Sequence, residues 1–184
     1  MEVQDRRVRR TQHLLAKALI ALTLEKGYEA VTIRDITERA DIGYATFFRH
    51  YHDKDELLKD VLDVVLTELI DLLGPAVPDA DTAMVGTLLF RYVQQHSEVM
   101  RVLLRSRVLL DRITEVAAQN IIKDHTEPPE SIIPLEIAAH HIVTASIALI
   151  QWWLDHQMPY PPERMGAIYH ELIMRPTGEA AFSS

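Results

Sequence analysis

The residues with the most chemistry to offer lie between Thr32 and Lys54, in the stretch Thr-Ile-Arg-Asp-Ile-Thr-Glu-Arg-Ala-Asp-Ile-Gly-Tyr-Ala-Thr-Phe-Phe-Arg-His-Tyr-His-Asp-Lys. Tyr44, Ala45, Thr46, Arg49 and His50 fall off the apolar stripe. Hydroxyl, guanidinium and imidazole groups are the types that meet phosphates and base edges of nucleic acid, and Ala45 is small enough to allow close approach. Lys54 opens a further helix with Asp53 before it as a cap, so its ammonium is expected beside unpaired backbone N–H groups as a phosphate clamp. Any amphipathic helix shows a polar face, so this face must be weighed together with the elements that carry it.

A second chemistry is metal-dependent catalysis. The chain has nine histidines. Glu136, His140 and His141 could put two ligands one helical turn apart, and His50-x-His52 sits in the stretch above. Glu-x-x-x-His lacks the second histidine and the general base of a zinc hydrolase helix, and no third ligand stands at motif spacing. The favoured expectation is no metal, no cofactor and no enzyme activity, with these histidines as polar core or interface residues.

The elements that must position the first set are helices. Thr32 and Asp35 form a capping box of the Ser/Thr-x-x-acid type, and Ile33, Ile36 and Ala40 then share one face. Asp41-Ile42-Gly43 interrupts, and helical spacing resumes at Tyr44 with Phe47, Phe48 and Tyr51 facing inward. Two helices this short cannot bury their own apolar faces. They need a floor, and the helix expected from Thr11 to Lys26, with Leu15, Ala18, Leu19 and Leu22 on one stripe and Gly27 as terminator, supplies it.

From Thr11 through Leu58 the chain resembles the DNA-binding domain of the TetR family of bacterial one-component regulators. The resemblance rests on Gly27-Tyr28, on 31–36 (VTIRDI), on 40–51 (ADIGYATFFRHY) and on 53–58 (DKDELL). It implies a helix-turn-helix domain over 1–54 and a helical regulatory and dimerisation domain over 55–184. Thr32, Arg34, Tyr44, Ala45, Thr46, His50 and Lys54 are implied to touch double-stranded DNA, and Arg49 joins them from the polar face. In two places this chain departs from the family. Phe48 replaces a tyrosine whose hydroxyl meets a phosphate, so that contact is lost. Gly43 replaces a capping serine, at a cost of only about a few tenths of a kcal/mol.

Composition sets the limits. The chain has 184 residues, 48% of them hydrophobic and 25% charged, and no cysteine, which excludes disulfides and thiol catalysis. The N-terminus carries no apolar leader, and the longest apolar run, 13 residues from Ile142 to Leu154, is shorter than a membrane crossing. A cytoplasmic protein without a membrane partner is expected. The net charge of −8 hides a split. Residues 6–54 carry ten basic and six acidic side chains, or +4, whereas residues 61–184 carry eight basic and sixteen acidic, or −8. A basic head facing phosphate and an acidic body fit that division.

The remainder reads as all-α, about nine helices in total. Arg6 to Arg10 is either a solvated terminus or an arm that reaches a phosphate or minor groove. A long helix from Lys54 to Leu73 stops at Gly74-Pro75 and is the natural lever between the domains. Helices follow from about Ala83, Glu98 and Val108, then a loop at Glu127-Pro128-Pro129-Glu130. The helix from Ile132 to His156 is apolar in every direction, and one more follows Pro162. Arg175 to Ser184 reads as a loose tail.

A chain this size can hardly surround the last two helices alone. Ile142, Ile150, Trp153, Met165, Ile168, Tyr169 and Leu172 are therefore expected in a homodimer interface. Phe90, Tyr92, Met100, Trp152 and Trp153 are core residues or line a pocket for an unidentified small-molecule effector. The run Leu149 to Leu154 and the 162–165 motif faintly resemble the regulatory domain of a TetR subgroup, some members of which activate sugar-kinase operons. The function these features imply is a repressor released from a palindromic operator by an effector. The alternatives are an activator or a protein-binding adaptor that has lost DNA.

Overall fold

The computed structural model describes residues 2–73, 82–124 and 132–181, all helix and turn with no strand among them. It divides into two compact units, Met1–Val64 and Val65–Ser184. The division falls inside one helix, whereas the motif alone draws the domain boundary at that helix's first turn. The expected stop at Gly74-Pro75, the loop over 127–130 and the last three residues lie outside the described residues.

In the first unit, α1 (Glu2–Lys26) is followed by a 3₁₀ turn (Tyr28–Ala30), α2 (Ile33–Ala40), α3 (Tyr44–Phe47) and the start of α4 (Lys54–Leu73). Leu15, Ala18, Leu19 and Leu22 of α1 are buried as their spacing predicts, as are Ile36, Ala40, Phe47 and Leu57, and α1 packs against α2. Gly27 has φ +82°, a left-handed conformation that lets the chain leave α1 sharply. The first helix begins well before Thr11, where the spacing places its start. Arg6 to Arg10 is helical, part of α1, because nothing in that run breaks a helix and Thr11 Oγ1 donates to the carbonyl of Arg7 at 3.0 Å.

The second unit contains the remainder of α4, then α5 (Thr82–Gln95), α6 (Ser97–Leu103), α7 (Arg107–Asp124), α8 (Leu135–Asp155), α9 (Pro162–Tyr169) and α10 (Arg175–Ala181). A π-helical stretch, His170–Met174, joins α9 to α10 without a break, so the described helices number nine when 162–181 is taken as one. By length and composition α8 would pass for a membrane span. Here it packs against α6, α7 and α10.

Aromatic packing centres this unit. Phe90 meets Trp153 edge-on at 5.2 Å and Tyr169 at 6.5 Å. The Trp153 indole N–H donates to the Tyr160 carbonyl at 2.9 Å, and Gln151 Nε2 donates to the Leu104 carbonyl at 2.7 Å. Helices α5 and α9 approach so closely at Gly86 that a Cβ there would lie 2.8 Å from the Tyr169 ring and 2.9 Å from the Gly166 backbone.

Two expectations fail here for physical reasons. The tail after Arg175 is helical through Ala181, with Thr177 and Ala181 buried. Pro176 should end a helix by clashing with the carbonyl four residues back. The π stretch removes that conflict by lengthening the bond period, seen in the Arg175 N–H donating to the carbonyl of His170, five residues back. The interface set fails more broadly. Ile142, Ile150, Trp153, Met165 and Tyr169 are buried inside their own protomer, Ile168 is half-buried and only Leu172 is exposed. The inserted residue turns the face, leaving Leu172 outward beside a buried Ile173.

Candidate nucleic-acid interface

The frame of the site is built from short polar ties. Thr32 caps α2, its Oγ1 accepting the Asp35 N–H at 3.2 Å while Asp35 Oδ2 accepts the Thr32 N–H at 2.8 Å. Asp35 also meets Lys26 Nζ at 2.8 Å. The Lys26 ammonium first, and then the Thr32 hydroxyl and amide, hold its carboxyl well below the usual carboxylate range. Arg39 of α2 meets Glu25 of α1 at 2.6 Å, so both ends of α2 are fastened to the C-terminal turns of α1.

Asp41 ends α2 with φ 54°, a conformation that aspartate tolerates. Gly43 then caps α3 without a side-chain bond. Only Phe47 of α3 is fully buried, and its ring and that of Tyr51 are tilted 5.8 Å apart. Tyr51 is fixed further by donating to Asp60 Oδ2 at 2.6 Å, and burial followed by that carboxylate pushes its phenol well above the ordinary tyrosine range.

On the other side of α3 the sequence candidates stand open. Tyr44, Ala45 and Arg49 are exposed, and Thr46 and His50 are half-buried. Arg34 on α2 is exposed and reaches Glu38 only at 3.9 Å. Two other candidates are already committed within the protein. The Thr32 hydroxyl serves the capping box and donates to Asp35 Oδ2 at 2.6 Å.

Lys54 departs from the phosphate-clamp expectation. Its Nζ donates to the carbonyls of Tyr28 at 2.8 Å and Val31 at 3.1 Å, and it lies 4.3 Å over the Tyr28 ring. The Tyr28 hydroxyl in turn donates to Asp55, and burial, then that bond, raises the phenol far above its normal range. The start of α4 is also filled from within, since the Glu56 N–H donates to Asp53 Oδ1 at 2.8 Å and the His52 N–H to Glu56 Oε2 at 2.6 Å. Lys54 thus pins the α1–α2 junction to α4 instead of standing free. A lysine two helices from its acceptor carbonyls leaves no periodic signal by which sequence reasoning could find this.

Phe48 also departs from expectation. It is exposed, not inward-facing, because regular helix ends at Phe47 and the next residues form a turn.

Among the described residues no three His, Asp, Glu or Cys side chains gather as metal ligands. Of the residues marked for an effector, Phe90, Tyr92, Met100 and Trp153 are buried and belong to the packed core of the second unit, while Trp152 is exposed. Tyr92 donates to Glu68 Oε2 at 2.6 Å. Trp152 stacks on His156 at 4.5 Å.

Residues 15–61 match the family model described as bacterial regulatory proteins, tetR family, and residues 85–175 match a transcriptional regulator C-terminal region. An uncharacterised HTH-type transcriptional regulator of Bacillus subtilis, YxbF, is 28% identical over 86% of this chain, which spans only 43% of that relative's length. The HTH-type transcriptional repressor Rv3405c of Mycobacterium tuberculosis is 29% identical over 76% of this chain and 69% of its own length. A crystal structure of a TetR-family regulator from Syntrophomonas wolfei superimposes with a TM-score of 0.74 at 18% identity, covering 92% of this chain and 95% of that one.

Proposed function

The chain belongs to the TetR family of bacterial regulatory proteins, and on that premise we propose that it is a transcriptional regulator that binds a near-palindromic duplex operator as a twofold dimer. The observation that carries this is the open side of α3. Tyr44 and Ala45 stand outward from a helix whose inner side is closed by Phe47, Arg49 is exposed in the turn that follows, and no carboxylate occurs from Ile42 through His52. Arg34, Thr46 and His50 complete the reading set, with Lys54 and Thr32 holding the frame.

A single head of this kind reads only a few base pairs. Two related by a twofold axis can enter successive major grooves about 34–36 Å apart. Support for a second copy comes from outward apolar residues on the last helices. On α8, Ile137, Ala148 and Trp152 recur at helical spacing and are exposed, as is Leu172 on the π stretch. These replace the buried residues of the expected interface. Release by a small molecule and action as a repressor in the cytoplasm complete the proposal, the named mycobacterial repressor being the relative that supports its sign. An effector need distinguish two states by only about 1–3 kcal/mol to change operator affinity about 5- to 150-fold.

Selection of bound sequences from random duplex DNA with the purified full chain tests the reading. The expected result is an inverted repeat with half-sites one helical turn apart. Enrichment of nothing, or of sequences without symmetry, would overturn it.

A further inference from the structure

We propose that Tyr44 and Phe48 form an aromatic plate that reads the C5-methyl group of thymine in the major groove, with Tyr44 as the contact and Phe48 as the ring that positions it and enlarges the apolar surface. The inference rests on the duplex-binding reading above and names what one part of the site recognises.

The two rings are the exposed half of a linked set. Tyr44 is 55% and Phe48 47% exposed, yet they touch each other edge-on, with centroids 5.3 Å apart and planes at 67°. Phe48 touches the fully buried Phe47 in the same manner at 5.4 Å and 75°. An exposed ring on a mobile side chain would lose entropy on binding. Here the outer ring is braced by the middle one, and the middle one by the core. Edge-to-face pairs of this kind add about 0.5–1.5 kcal/mol beyond burial, so the plate is ordered before any partner arrives.

Its chemistry narrows the partner. A phenyl ring at 48 offers no hydrogen bond to a phosphate, so exposure there serves an apolar contact or none. The base edges of the major groove offer one apolar group, the thymine methyl. Charge points the same way. The plate sits in an acid-free run with Arg49 exposed next to Phe48, a setting that favours a polyanion presenting a methyl group over an acidic or purely greasy protein surface. Tyr44 opens α3, and early residues of a recognition helix are those that reach base edges.

The test uses the full chain and a duplex it selects. Each thymine in the bound half-site is replaced singly by deoxyuridine, which removes the methyl group and leaves every hydrogen-bonding edge intact. At one or two steps per half-site the affinity should fall about fourfold, the effect of one buried methyl group. Phe48→Ala and Tyr44→Ala should bind the thymine duplex more weakly and lose the difference between thymine and uracil. Phe48→Tyr should keep it, because the ring remains.

If wild-type protein binds thymine and uracil duplexes equally, or if the selected half-site has no thymine, the plate reads something else and the inference fails while duplex binding stands. If Phe48→Ala weakens both duplexes by one factor and preserves their ratio, Phe48 is structural and its assigned role fails. Absence of any bound duplex overturns the regulator reading and this one together. The wild-type comparison decides the matter even if a variant does not fold.

Discussion

In the unit 1–64 the helices that carry the candidate site, α2 and α3, are short and the ties that orient them are polar: Asp35 to Lys26 and Thr32, Arg39 to Glu25, Lys54 to two carbonyls, Tyr51 to Asp60. In the unit 65–184 the central helices α5 and α8 are longer and the central ties are rings and a glycine contact: Phe90 against Trp153 and Tyr169, and Gly86 against Gly166. The difference follows from what each must leave open. A four-residue helix that presents one side to a partner has too little apolar area left to orient itself, so directional bonds take over. A helix buried over several turns is oriented mainly by shape, with single polar ties such as Gln151 to the Leu104 carbonyl added to it. Tyrosine hydroxyls serve both units, since Tyr92 of the body also donates to the Glu68 carboxylate. Tyr28 and Tyr51 donate to carboxylates in the head. Tyr169 is packed among apolar groups, and burial pushes its phenol up to about 12 despite a Ser146 contact that opposes the shift.

The largest expected effect tests the body. Trp153→Ala removes a fully buried ring and should lower stability by about 3–5 kcal/mol, measured by urea denaturation. Hydrogen exchange should show the loss first in α5, α8 and α9, which meet around Phe90. A loss under about 1 kcal/mol would mean that the body is not held by shape and would break the contrast.

The second effect tests the head. Lys54→Met keeps much of the side-chain volume but deletes bonds from an ammonium to two carbonyls, which should cost about 1.5–3 kcal/mol. Operator affinity should fall because α2 loses its orientation. The dependence of affinity on salt should keep its slope, whereas a lost phosphate contact would reduce the slope by about one. A reduced slope at unchanged stability would return Lys54 to the DNA.

How much of this was legible in the sequence divides along the same line. The Thr32–Asp35 box and the stripe of Leu15, Ala18, Leu19 and Leu22 are local and periodic, and both stand as read. Lys54 finding Tyr28 and Val31 is neither local nor periodic, and its charge pointed to the opposite role. In α8, apolar residues occupy all directions, so periodicity could not say which side met the protomer's own core. Ile142, Ile150 and Trp153 turned inward and Ile137 and Trp152 outward. The segment from Arg175 reads as a loose tail because it is a terminus, and the π stretch that carries the helix past Pro176 has no residue signature.

A smaller effect probes the polar frame through pH. Thr32→Ala should cost about 1 kcal/mol through loss of the cap, read from thermal melts near neutral pH. Because the folded-state pKa of Asp35 is depressed, its contribution is present above the unfolded value of about 3.9 and is lost as pH falls through the lower folded value. Asp35→Asn should therefore be destabilising at neutral pH and make the acid limb of the stability curve shallower. An unchanged limb would show that the carboxylate does not couple to folding.

The smallest effect lies at the cap of α3, which lacks a side chain. Gly43 has φ −60° and ψ 137°, a conformation open to any residue, and a Cβ there would meet only Thr46 Oγ1, at an ordinary 3.5 Å. Gly43→Ser should place a hydroxyl where it can cap the first turn of α3 and raise stability by only about a few tenths of a kcal/mol. If α3 is ordered mainly by directional bonds, even this small gain should slow amide exchange across Tyr44–Phe47 more than anywhere in α8. If Phe47 packing alone orders α3, the serine should change neither, and the head would differ from the body in helix length but not in what holds it.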